Sequence, residues 1–153
     1  MKKNLYIAAV ALIVLAACRN QPTAEEVALT FQIETYTTLK TEAMQVHDEI
    51  MPKMGELMEL RGELTANEPE FISKEAYRKE ISTAAEYLKA SHDAMMSWMQ
   101  DYSEKFPYGD PTPETKEAMD KKLPLLEQEV KEIKDLKEQT LKAIEMAQEL
   151  LRK

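Results

Sequence analysis

Histidine occurs twice in the 153-residue chain, and both copies open the same local pattern. Residues 47–54 read HDEIMPKM and residues 92–99 read HDAMMSWM, so each His is followed by Asp and then by Met four and seven residues on. On a helix, those spacings keep His and Met on one face. A neutral imidazole and a soft thioether suit Cu(I), and a His with a Met can also hold haem iron from two sides. The candidate ligands are Met44, His47, Met51, His92, Met95, Met96 and Met99. Packing is the competing explanation: Met fills irregular core space, and a His at a bundle boundary commonly finds a carboxylate or water. Haem also needs a wide apolar cavity, which seams rich in Leu, Ile, Tyr and Trp would fill. An Asp directly after a His is turned about 100° away from it, which weakens Asp48 and Asp93 as acceptors behind the imidazoles. The chain requires no cofactor, and Cu(I) is the one its residues suit best.

The elements that must position these residues are helices. Thr23-Ala-Glu-Glu26 is a capping box that should open the first of them. Tyr36, Leu39, Ala43, Val46, Ile50, Leu57, Leu60 and Leu64 then recur three and four residues apart, the seam of a bundle helix. Lys53 interrupts the seam for one turn, and Pro52 predicts a kink near Ile50. The segment TANEPE stops this helix, because a residue before proline is pushed out of the α region. Ser73 could cap a second helix, with Tyr77, Ile81, Ala84, Leu88, Met95, Trp98 and Tyr102 on one stripe. FPYGDPTP ends it. Asp110 or Thr112 should cap a third helix, seamed by Met119, Leu123, Leu126, Val130, Ile133, Ile144, Ala147 and Leu151 and bent early by Pro124.

The expected fold class is therefore all-α: an elongated, coiled-coil-like antiparallel three-helix bundle over residues 24–153, with helices at about 24–66, 70–105 and 112–152. If the first connection turns around residues 67–72, His47 lies level with His92 and Met44 with Met95. Trp98, Tyr102, Phe106 and Tyr108 crowd the far end of that hairpin, a candidate surface for a protein partner or a second copy of the chain. Capping the end of the bundle would account for them equally.

The first residues carry an address. Lys2 and Lys3 precede an apolar run from Leu5 to Val14, followed by Leu15-Ala16-Ala17-Cys18, the layout of a secretory signal. The run is too short for a membrane span, which needs about 20 residues. Leu-Ala-Ala-Cys directly after an apolar core closely resembles a bacterial lipoprotein box. The resemblance implies a signal peptide over residues 1–17, a Cys18 acylated with palmitate-like chains, and a lipidated tether over residues 18–23. Several acyl chains, each contributing about 0.8 kcal/mol per buried CH₂, would hold the protein on a lipid bilayer. Arg19 takes the place where inner-membrane lipoproteins often carry Asp, which favours the periplasmic leaflet of the outer membrane.

Composition excludes more than it proposes. Cys18 is the one cysteine, so lipidation would leave no thiol for disulfides, metal thiolates or catalysis. Without Lys2 and Lys3 the chain has 18 basic against 28 acidic residues. Such a surface repels nucleic acid, which is discounted as a partner. There is no Gly-rich phosphate loop, GxSxG, HExxH or EF-hand loop, and no nucleophile with a base, so the reading is not an enzyme. HDEIMPKMGELMEL followed by HDAMMSWMQDY resembles small helical bacterial lipoproteins often labelled viral A-type inclusion protein. That resemblance implies a membrane-anchored helical protein and no activity. The sequence thus points to a periplasm-facing binding or scaffold module, with Cu(I) or another soft metal as the competing function.

Overall fold

The computed structural model describes residues 21–67 and 75–152. The leader, Cys18, the turn through Glu68 and Pro69 and the Ser73 cap lie outside the described residues. Four helical segments make up the rest: α1 (Ala24–Ile50), α2 (Lys53–Asn67), α3 (Glu75–Lys105) and α4 (Lys116–Leu151). No strand occurs among the described residues, and none of their helices is long and apolar enough to cross a membrane.

Thr23 opens α1 through a complete capping box. Its Oγ1 accepts from the Glu26 N–H at 3.2 Å, and Glu26 Oε2 accepts from the Thr23 N–H at 2.7 Å. The backbone hydrogen bond from Thr23, followed by its hydroxyl, holds the Glu26 carboxyl below its usual range. The break between α1 and α2 falls at Met51-Pro52. Proline has no N–H to continue the ladder, and the chain bridges the gap with Met51 N–H donating to His47 O at 2.9 Å and Met54 N–H to Met51 O at 3.1 Å. Lys53 turns outward to pair with Glu56 at 2.8 Å, and buried Met54 fills the turn that it vacates in the seam.

The last helix starts later than the sequence suggested. Neither Asp110 nor Thr112 caps it. Thr115 does, accepting from the Ala118 N–H at 3.3 Å.

These helices pack on one another around a continuous core. Ile50, Leu57, Leu88, Met95, Met119 and Ile133 are almost completely buried in it. Apolar periodicity drives that packing, and burying a Leu or Ile side chain contributes about 1.5–3 kcal/mol. Polar ties fix how the helices sit. Trp98 Nε1–H donates to Glu129 O at 3.2 Å and the Tyr77 hydroxyl to Leu150 O at 2.7 Å, joining α3 to α4. Lys134 pairs with Glu42 at 2.6 Å and Lys137 with Glu49, joining α4 to α1. Among the described residues, the polar Ser91, Glu129 and Thr140 also occupy the interior.

Candidate functional site

Trp98 and Tyr102 of α3 and Phe106 just after it are spaced four residues apart and form a ladder of rings, the first two stacked and Phe106 tilted against Tyr102. The centroids lie 4.9 Å apart from Trp98 to Tyr102 and 5.2 Å from Tyr102 to Phe106. α1 closes both ends of the ladder. His47 stacks on Trp98 at 5.9 Å and 29°, and Tyr36 meets Phe106 at 6.3 Å. Side chains of this size keep two backbones apart, and a groove of about 750 Å³ opens between α1 and α3. Lys40, Met44 and His47 line it from α1, and Met99, Tyr102 and Ser103 from α3.

The segment after α3 forms the end wall. Asp110 N–H donates to Pro107 O at 3.1 Å, and Gly109 between them has φ 86°. That is a type II-like turn, and the left-handed position is one that glycine takes without strain. The turn leaves Tyr108 fully exposed at the mouth of the groove. Lys122 of α4 secures the wall: its ammonium sits 5.2 Å from the centre of the Phe106 ring and donates to the Lys105 carbonyl.

The groove rests on a polar interior. Glu129 is completely buried and accepts from Lys105 Nζ at 2.6 Å, and that hydrogen bond holds the ammonium above its usual range. Burial first, and then Tyr36 and Glu129 nearby, push the Tyr102 phenol up to about 12. Burial, followed by the charge of Asp110, raises Tyr36 as well. Both phenols therefore stay neutral at physiological pH.

The candidate ligands divide into two groups. Met44, His47 and Met99 share the groove with Trp98, Tyr102, Phe106 and Tyr108. Met95 is fully buried in the core, Met51 packs half-buried against it, and Met96 is exposed. His92 is absent from the groove lining. The expectation that His47 lies level with His92, and Met44 with Met95, is corrected. His47 meets Trp98, six residues and about 9 Å of helix rise beyond His92. Met44 shares the groove with Met99, one turn beyond Met95. The described helices end at Asn67 and begin again at Glu75, and the register assumed from a turn at residues 67–72 does not predict these contacts.

A second expectation also changes. Each Asp does reach the His before it: Asp48 Oδ1 lies 3.0 Å from His47 Nδ1, and Asp93 Oδ1 lies 3.4 Å from His92 Nδ1. The imidazoles rotate to meet them, which backbone angles alone do not reveal. Among the described residues, no three His, Cys, Asp or Glu side chains gather as a metal cluster.

Sequence reasoning missed Lys40, Ser103, Asp110 and Glu129. Lys40 lies four residues before Met44 and seven before His47, so helical spacing carried its signal. Asp110 comes from a loop, and only the folded chain brings it to the groove. No family model, curated protein or solved structure matches the chain.

Proposed function

We propose that the protein is a membrane-anchored, periplasm-facing helical lipoprotein that acts as a non-catalytic binding module, and that the groove between α1 and α3 is its binding site. The groove carries this reading. A concave surface floored by aromatic rings and edged by a few polar groups is the usual form of a small-ligand site. The Leu15-Ala16-Ala17-Cys18 run supports the anchor, with Cys18 acylated and the bundle held at the periplasmic face of the outer membrane.

We read the helices as an elongated antiparallel bundle, α4 being about 54 Å long at 1.5 Å per residue. Contacts support that topology. From Tyr36 to His47 along α1, the partner on α3 moves back from Phe106 to Trp98. From Glu42 to Glu49, the partner on α4 advances from Lys134 to Lys137. The first and last helices would then run in one direction and α3 in the other.

Two measurements test the function. Radiolabelled palmitate should enter the membrane-bound protein in a Gram-negative host and be lost in Cys18→Ser. An apolar fluorescent dye should occupy one saturable site per chain and be displaced by Ser103→Phe, which fills the groove from an exposed helical position. A protein that takes no label, or dye binding that Ser103→Phe leaves unchanged, overturns the corresponding half of the proposal.

A further inference from the structure

The lining of the groove has a chemistry narrower than its shape. Met44 and His47 project from one face of α1, three residues apart, and Met99 comes from α3 on the other side. Two thioethers and an imidazole are all neutral ligands. Hard cations such as Mg²⁺ and Ca²⁺ demand oxygen ligands, and the described residues hold no His, Cys, Asp or Glu cluster to supply a borderline divalent ion. The set suits a soft monovalent ion of the Cu(I) type.

The imidazole has a carboxylate beside one of its ring nitrogens. Asp48 Oδ1 lies 3.0 Å from Nδ1 of His47, and the tautomer that satisfies this contact carries its proton on Nδ1. The lone pair is then on Nε2. A carboxylate behind the distal nitrogen is the common way in which proteins orient a metal-binding His. The ring is further fixed by stacking on Trp98 at 5.9 Å, whose indole face attracts a nearby cation. Met has three rotatable bonds and adjusts readily to a ligand, and Met44 is partly exposed. The chain's net charge of −8 favours cation approach.

We propose that Met44, His47 and Met99 form a Cu(I) site over the face of Trp98, a reading that rests on the groove being the binding site. It replaces the symmetric pairing of both histidines with a site built from one of them. His92 and Met96 take no part.

The test uses the full-length chain in detergent with the Cys18→Ser substitution, so that no thiol competes for metal. Cu(I) is titrated anaerobically against a chromophoric Cu(I) chelator, and Ag(I) is titrated by calorimetry as a redox-inert stand-in. Trp98 is the one tryptophan, so its emission reports on the site directly. One ion per chain is expected, with Trp98 emission quenched as it binds. His47→Ala and the Met44→Leu, Met99→Leu pair should each weaken binding at least about 10-fold, the loss seen even for changes behind a ligand. His92→Ala and Met96→Leu should leave affinity and quenching unchanged, and circular dichroism should show that every variant retains its helices. Equal losses from His92→Ala and His47→Ala, or weak binding that no single variant alters, would overturn the proposal. Dye binding blocked by Ser103→Phe in a protein that takes up no Cu(I) removes the metal and leaves the groove. Failure of both removes the groove reading as well.

Discussion

The two His-Asp segments share a pattern but not a neighbourhood. His47 has 14% of its side chain exposed, lies in the groove and stacks on Trp98. His92 has 31% exposed and is absent from the lining of this groove. Their aspartates differ too. Asp48 contacts His47 at 3.0 Å, whereas Asp93 is bound by Lys89 one turn earlier and lies 3.4 Å from His92. Spacing places His and Met on one face of a helix. What lies across from that face decides whether they form a site. The large aromatic residues of α3 hold α1 at a distance beside His47, whereas His92 sits on α3 itself, away from that groove.

Removing Trp98 should break this contrast with the largest effect. The ring is 4% exposed and donates to Glu129 O, so Trp98→Ala should cost about 3–5 kcal/mol of stability, as large-to-small core changes do. His47 would then lose its stacking partner and come to resemble His92. Urea unfolding followed by circular dichroism measures the cost, and a loss under about 1 kcal/mol would mean that the ladder does not hold α1 and α3 together.

The alkaline limit probes the same ladder. The folded-state pKa of Tyr102 is raised from 10.0 to about 12. Between those values the unfolded chain releases the phenolic proton while the folded chain keeps it. The stabilisation is therefore complete below pH 10 and declines as the pH climbs toward 12. Tyr102→Phe should flatten this decline, and Tyr87→Phe, on an exposed surface, should not. Unfolding midpoints across that range decide between them.

Comparing the histidines directly sharpens the contrast. His47→Ala removes a stacked ring pair and should cost about 1 kcal/mol. His92→Ala should stay within about 0.5 kcal/mol, as surface changes usually do. Equal costs would show that the stacking on Trp98 adds nothing.

Much of the bundle was legible because its seams follow helical period. Tyr36, Ile50, Leu88, Trp98, Leu126 and Ile133 were assigned to the core from spacing alone, and all are buried. Seam positions with polar residues were not. Glu129 lies between Leu126 and Ile133 on the inner face of α4, and a pattern of apolar and polar letters cannot register that Lys105 of another helix neutralises it. The aromatic residues of the groove were legible as residue types, but which helix pair would open was not. That depended on register between helices: Met99 and not Met95 reaches the groove with Met44 and His47, and periodicity within a helix does not encode such register.

The smallest effect concerns the second aspartate. Lys89 first, and then His92, hold the Asp93 carboxyl below its usual range. The group is exposed, so its contribution to stability is slight and its titration is the better readout. A lowered folded-state pKa gives stabilisation that is present above the unfolded value of 3.8 and is lost as the pH falls through the folded value. Carbon-detected NMR of the Asp93 carboxyl should show its midpoint rising toward 3.8 in Lys89→Met and by a smaller step in His92→Ala. The order matters for the contrast between the two segments. If Lys89 is the main partner of Asp93, the carboxylate is already committed and His92 has no dedicated acceptor behind it. A larger step from His92→Ala would reverse that conclusion and give the second histidine the same support as the first. The two segments would then differ only in the aromatic ring that His47 has found across the groove.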